Sequence, residues 1–132
     1  MILDTSALVA ILLEEPEAED FARLILEADI CRLSVANHLE LSMVLERQAR
    51  PEATRQAEAF LRAAAIVEEP VTLQRGILAR QAFYDFGRGR HGARLNFGDC
   101  FAYALAKAMG EALLFKGRDF ARTDVQVARL RG

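Results

Sequence analysis

Five short, largely apolar runs separated by stretches of helical periodicity constrain this chain more than any other feature. Met1–Asp4, Ile30–Leu33, Ile66–Val67, Ala112–Phe115 and Val125–Val127 are too short for helices. Apolar strands of this kind are buried on both faces. Helical patterns lie between them. Ser6–Leu13 is followed by a segment that Pro16 opens, with Phe21, Leu24, Ile25 and Ala28 on one stripe. Next come Val35–Arg47 behind Ser34 as N-cap (Asn37 is a weaker option) and Pro51–Ala65, with Ala53, Ala57, Phe60, Leu61 and Ala64 at helical spacing. Thr72–Phe86 and Phe97–Met109 complete the set, the latter capped by Asn96 and stopped by Gly110. Strands alternating with helices predict an α/β fold, a three-layer α/β/α sandwich around a central parallel sheet.

The 132 residues show no repeat, linker or composition break, so a single domain over 1–132 is expected. At 52% hydrophobic the chain can bury a core without cross-links. No stretch approaches the roughly 18 uncharged apolar residues of a membrane span. The opening sets Asp4 ahead of its apolar run and has no basic segment, so it does not read as a signal peptide. Cys31 and Cys100 are far apart and lack C-x-x-C spacing. A disulfide framework and a zinc ribbon are therefore not expected, and a reducing cytoplasm fits.

Net charge is −2, but it is unevenly distributed. Residues 1–70 hold 6 Lys+Arg against 14 Asp+Glu, and residues 71–132 hold 11 against 5. The basic part includes Arg88, Arg90 and Arg94 in a loop with Gly87, Gly89 and Gly92. Such asymmetry allows a phosphate-backbone footprint on one side of a near-neutral protein, although a solvated basic surface has the same composition. Tyr84, Phe86 and Phe97 near this loop are candidates for base stacking, with core or interface packing the commoner role. Phe83 and Phe86, with Leu78 and Ala82, form a helix face able to pair subunits.

Parallel α/β sheets bind ligands beyond the carboxyl ends of their strands. Asp4 and Asp119 follow strands, while Glu40 and Asp99 lie on helices that follow strands. Each has an ordinary structural explanation. Asp4 can cap the next helix, Asp99 stands three residues after Asn96 as in a capping box, and Asp119 can stabilise a turn. Glu40, set among Leu39, Leu41 and Val44, needs a partner. Four carboxylates at one edge raise one another's pKa values, and a hard divalent cation, Mg²⁺ or Mn²⁺, relieves that repulsion. Such an ion activates water and neutralises phosphoryl oxygens. His38 and His91 are weak candidates for a general base, and Cys100, lacking a partner histidine, reads as a buried thiol.

Four segments carry a family resemblance: Met1-Ile-Leu-Asp4-Thr-Ser-Ala-Leu8, Leu33-Ser-Val-Ala-Asn-His-Leu-Glu40-Leu-Ser, Leu95-Asn-Phe-Gly-Asp99-Cys-Phe-Ala-Tyr-Ala-Leu-Ala106 and Leu114-Phe-Lys-Gly-Arg-Asp119-Phe-Ala-Arg-Thr-Asp124. In this order and spacing the chain resembles, over its whole length, the PIN-domain ribonucleases, and within them the VapC toxins of bacterial toxin–antitoxin pairs. The resemblance implies a PIN-like sandwich and metal-dependent endonucleolytic cleavage of RNA. It places the family's acids at Asp4, Glu40, Asp99 and Asp119, with Asp4 and Asp99 as principal Mg²⁺ ligands and Thr5 or Ser6 supporting the site. Arg118 stands where the family pattern favours a small polar residue, and Asp124 reads as a turn or supporting residue. Hydrolysis by water would leave a 5′-phosphate. A separately encoded VapB-like antitoxin, a homodimer and a hetero-oligomer with the antitoxin are the implied partners, with an antitoxin arginine offered to the acids.

Two other readings stay open on the residues alone. A receiver-like phosphoacceptor domain also sets acids at strand ends, with Lys116 as charge partner, but Asp4 is followed by Thr5 rather than a second acid. A non-catalytic PIN-like module that only docks RNA or protein would have no use for four repelling carboxylates.

Overall fold

Strand β1, Ile2–Leu3, pairs in parallel with a neighbour on each side, and the rest of the fold is arranged around it. The structure, a computed structural model, describes residues 1–48, 50–90 and 92–130. After β1 come α1 (Thr5–Leu12), α2 (Ala18–Glu27), β2 (Arg32–Ser34), α3 (Val35–Arg47), α4 (Pro51–Ala63), β3 (Val67–Glu69), α5 (Leu73–Phe86), α6 (Phe97–Met109) and β4 (Leu113–Leu114), then a 3-10 turn at Phe120–Arg122. The four strands form one parallel sheet in the order β3-β2-β1-β4. Ile2 lies beside Arg32 and Leu113, and Leu3 beside Leu114.

Successive strand residues point to opposite faces, and the two cores follow from that alternation. Ile2 and Leu113 pack with Ala79 and Ala82 of α5 and with Ala102, Leu105 and Ala106 of α6. Leu3, Leu33 and Leu114 pack on the other side with Ala7 and Leu8 of α1, Ile25 of α2, Leu41 and Leu45 of α3, and Ala57 and Leu61 of α4. The result is the expected three-layer α/β/α sandwich. Alanines dominate where helices meet the sheet, letting backbones approach closely around two-residue strands.

The helix ends are formed by side chains from the sequence signals. Ser34 Oγ accepts from Ala36 N–H, and Asn96 with Asp99 makes a complete capping box. Gly110 stops α6 in the left-handed region at φ 65°. Several boundaries differ from expectation: α1 is Thr5–Leu12 rather than Ser6–Leu13, β2 is Arg32–Ser34 rather than Ile30–Leu33, and β3 is Val67–Glu69 rather than Ile66–Val67. Pro16 lies in a turn and α2 starts at Ala18. Helix α4 ends at Ala63, and Ala65 takes a positive φ of 52°. The strand expected at Val125–Val127 is reduced to one parallel bridge, Val127 to Leu113, with Ala128 N–H donating to Leu113 O.

At the amino edge of the sheet, charge is neutralised internally. The Met1 ammonium meets Glu111 at 2.6 Å, and Arg32 bridges Glu111 and Glu69, the latter also held by Arg75. This network joins the start of β1 to β2, β3 and the segment before β4. It extends to Glu69, the last residue of β3, and reaches none of Asp4, Glu40, Asp99 and Asp119.

Leu113 is fully buried beneath α6, whereas Leu26 on α2 is exposed. Leu113→Ala is expected to lower stability by about 2–5 kcal/mol, while Leu26→Ala stays within about 0.5 kcal/mol of the parent. Urea unfolding of the two variants checks this.

Candidate active site

The sheet order reverses at β1, with β2 on one side and β4 on the other. A crevice at the carboxyl ends of such strands is where α/β sheets take ligands. Asp4 is the first residue beyond β1. Its backbone N–H donates to Leu114 O at 2.9 Å, which ties it to β4. Asp4 also caps α1: its Oδ2 accepts from Ser6 N–H at 3.0 Å and from the Ser6 hydroxyl at 2.6 Å. Ser6 Oγ in turn accepts from Lys116 N–H at 3.0 Å, joining the site to the loop after β4. Of the two hydroxyl candidates, Ser6 touches the acid directly. Thr5 is buried and donates instead to Asn37 O at 3.3 Å.

Asp99 reaches the same edge through the capping box of α6. Its Oδ2 accepts from Asn96 N–H at 3.0 Å, and its own N–H donates to Asn96 Oδ1 at 2.8 Å. The structural explanations for Asp4 and Asp99 therefore hold, yet each cap uses a single carboxylate oxygen. Asp4 Oδ1 is buried with no hydrogen-bond partner. Burial pushes the Asp4 carboxyl up to about 6, against the Ser6 hydrogen bonds and with the charge of Glu40 adding to it. Burial also lifts Asp99, to about 7, together with the charges of Asp4, Glu40 and Asp119. The charge of Glu40 thus acts on Asp4, and those of Asp4, Glu40 and Asp119 act on Asp99.

Glu40 is half-buried on α3. It is held by two residues that sequence reasoning passed over. Asn37, fully buried one turn earlier, donates from Nδ2 to Glu40 Oε1 at 3.2 Å and to Gly98 O at 3.0 Å. Gly98 leaves room for the Glu40 carboxylate, which a Cβ there would push aside. Two signals pointed this way: Asn37 precedes Glu40 by three residues on one helix face, and Gly98 sits inside a helix, where glycine is costly.

Asp119 is exposed at the start of the 3-10 turn and makes no capping hydrogen bond. Among the described residues no three His, Cys, Asp or Glu side chains form a ready-made metal cage. The donor set nevertheless suits a hard cation. All four groups offer oxygen, one buried oxygen lacks a partner, and among the described residues no ion pair reaches any of the four acids.

The remaining candidates sort themselves by contact. Lys116 pairs with Glu15 and Glu17 rather than with Asp4, which removes the receiver-like arrangement. His38 lies between Glu58 and Glu68, away from the acid edge; His91 is outside the described residues. The Cys100 thiol is pushed up to about 11 by burial and by Asp99, as befits an unreactive core thiol. Asp124 accepts from the Tyr103 hydroxyl at 2.6 Å and from Lys107, a tertiary tie. Phe86 packs against Tyr103 in the core and is no base-stacking platform. Phe97 is 82% exposed, resting edge-on against Phe101. Arg88, Arg90 and Arg94 are all exposed. The Arg90 guanidinium stacks over Phe83 and Tyr84, 5.4 and 5.1 Å from their ring centres.

Comparison with known proteins agrees with this geometry. The family model for the PIN domain matches residues 1–126. Ribonuclease VapC28 of Mycobacterium tuberculosis is 49% identical over 129 residues, 97% of each chain. Among solved structures, M. tuberculosis VapC20, described as a toxin that cleaves the sarcin–ricin loop, superposes with a TM-score of 0.76 at 20% identity, covering 94% of this chain and 95% of that one. The chain in a toxin–antitoxin complex from Klebsiella pneumoniae superposes with a TM-score of 0.67 at 15% identity, covering 93% and 92%. With the match spanning both cores and all four acids, this chain belongs to the PIN-domain family and groups with its VapC ribonucleases.

Proposed function

We propose that this chain is a single PIN domain over 1–132 that acts as a Mg²⁺- or Mn²⁺-dependent endoribonuclease, the toxin of a type II toxin–antitoxin pair. The observation that carries the reading is the pair Asp4 and Asp99. Burial raises the pKa of both, the charge of Asp4 adds to the rise at Asp99, Asp4 Oδ1 has no partner, and no described cation answers them. A purely structural pair of N-caps would gain nothing from that repulsion. Asp4 and Asp99 would hold the ion, with Glu40 and Asp119 completing the set directly or through water. When bound, the ion supplies a water of lowered pKa and offsets charge on the phosphoryl oxygens. The protein's own part is to fix the acids: Ser6 orients Asp4, the capping box orients Asp99, and Asn37 with Gly98 orients Glu40.

Arg88, Arg90 and Arg94 would contact backbone phosphates. The relatives' names support RNA as substrate, and the Klebsiella complex supports a VapB-like antitoxin as partner. The chain would act as a homodimer and in a hetero-oligomer with that antitoxin, whose basic tail would supply the counter-charge the acids lack. No described helix is long and apolar enough to cross a membrane, and cytoplasmic residence accords with that and with two buried free thiols.

The raised carboxyls set a pH dependence. Asp4 and Asp99 both ionise above their ordinary value of 3.8. Between that value and about 6 to 7, the native state holds protons that the unfolded chain has released, so stability falls as pH rises through the window. Asp4 alone contributes on the order of 3 kcal/mol. Metal-free protein is therefore expected to melt at a lower temperature at pH 8 than at pH 5, with Asp99→Asn showing a flatter profile. Mn²⁺ at a hundredfold excess over its Kd should restore about 2.7 kcal/mol at pH 8. A melting temperature that is flat between pH 5 and 8 and indifferent to Mn²⁺ counts against the acid-cluster reading.

Asp4→Asn keeps the helix cap and loses the charge. It should stay folded and lose RNA cleavage by at least about 100-fold, beyond the usual cost of disturbing a ligand's supporting partner. Cleavage of mixed RNA with and without chelator, for wild type and variant, checks this: an undiminished rate in the variant overturns the role given to Asp4, and a wild type that does not cleave leaves a docking module as the better reading. Replacing Arg88, Arg90 and Arg94 together by Ala should flatten the log–log salt dependence of RNA binding by about 2, at roughly 0.7 per phosphate contact on a single strand. Parallel slopes and equal affinities would leave the loop without a substrate role.

A further inference from the structure

The Asn37 side chain is fully buried, and its amide joins two elements that carry the acids. Nδ2 donates both hydrogens, one to Glu40 Oε1 within α3 and one to Gly98 O in the first turn of α6. Both partners are acceptors, so the amide can be placed only one way round: reversed, it would set Oδ1 against two oxygens. The backbone carbonyl of the same residue accepts from Thr5, which follows Asp4 directly. One residue thus touches the segments that bear Asp4, Glu40 and Asp99. The Glu40 carboxylate lies in the space that a Cβ on residue 98 would take.

We propose that Asn37 is a positioning residue that sets the orientation of the Glu40 carboxylate for cation binding, an inference that rests on the metal-dependent reading above. The chemistry of the partner favours this role. A lysine or arginine at this place would orient Glu40 equally well but would cancel its charge and compete with a divalent ion. A neutral amide holds the carboxylate by one hydrogen bond and leaves the full negative charge in the crevice. The Gly98 carbonyl, by occupying the second hydrogen, keeps the amide from rotating away from Glu40. Asn37 Oδ1, buried without a partner, shows that the amide is held by its donors alone.

The test is a double-mutant cycle with Mn²⁺ binding, followed by titration calorimetry on the full chain, as the main readout. Asn37→Ala is expected to weaken Mn²⁺ binding by about 10–100-fold, the range for partners that orient a metal ligand, and to lower the RNA cleavage rate at saturating RNA with little change in KM. In a Glu40→Gln background the same substitution should have almost no further effect on Mn²⁺, because the group it orients no longer carries charge. Asn37→Thr, whose hydroxyl can donate to one of the two acceptors, should fall between wild type and Asn37→Ala, and it serves as the test variant if Asn37→Ala does not fold. Equal losses of Mn²⁺ affinity in the wild-type and Glu40→Gln backgrounds would make Asn37 a packing residue and overturn the proposal while leaving the metal site standing. Unchanged Mn²⁺ affinity in folded Asn37→Ala or Asn37→Thr would do the same. Absence of Mn²⁺ binding to the wild type would overturn the metal reading itself, and this inference with it.

Discussion

Parallel pairing on both sides of Ile2–Leu3 brings the ends of β1, β2 and β4 to one edge, and the residues that follow those strands have nowhere else to go. A parallel sheet points all its carboxyl ends in one direction. With strands of two or three residues, no length remains to stagger what comes next. Asp4 therefore starts α1 against Leu114 O, and Ser34 starts α3 within a few residues of Glu40. The segments that bear Asp4, Glu40 and Asp99 come to one edge because the backbone hydrogen bonds of the sheet bring them there. The repulsion among these acids is carried by a scaffold closed chiefly by apolar packing on both faces and by an ion network away from them.

Two of the acids serve the fold and the crevice at once, and the division runs between the two oxygens of one carboxylate. Oδ2 of Asp4 and Oδ2 of Asp99 each accept the hydrogen bonds that begin a helix. An N-cap of this kind is worth about 1 kcal/mol, and the positive end of the helix dipole favours the ionised form. Burial and mutual charge act more strongly the other way, since both carboxyls end above their ordinary value. A carboxylate fixed by its cap cannot turn away from its neighbours to escape them. Orientation at one oxygen thus produces electrostatic strain at the other, and on the proposed reading a bound cation relieves it.

Much of this arrangement was legible in the residues. The alternation of apolar runs and helical stripes fixed class and layer order, and Ser34, Asn96 and Gly110 marked three helix ends where the structure has them. Asp4, Glu40 and Asp99 could be placed at one edge because each stands at a known distance from a strand or a cap. What escaped was set by tertiary contact. Asn37 looks like any polar residue in a helix until Gly98 O is seen within 3.0 Å of its amide. Phe86 and Phe97 are indistinguishable as sequence, yet one packs on Tyr103 and the other faces solvent. The expected strand at Val125–Val127 had the right residues, yet its pairing with β4 stops at one bridge, Val127 to Leu113.

The charge asymmetry along the chain changes meaning once partners are assigned. Of the basic residues after position 70, Arg75 is bound to Glu69, Lys107 to Asp124 and Lys116 to Glu15 and Glu17. Lys116 in particular returns its charge to the acidic half, so part of the basic excess never faces solvent as a field. Arg88, Arg90 and Arg94 are exposed, on the loop that leads into the capping box of Asp99. Arg90 rests on two aromatic rings, which hold the guanidinium in place without neutralising it. Positive charge thus stands beside a crevice of negative charge along one stretch of chain, with the Asn96 cap between them. On the proposed reading, a phosphodiester drawn by the first is repelled by the second until the acids are offset, so the same polarity that attracts RNA also makes its seating depend on a bound cation.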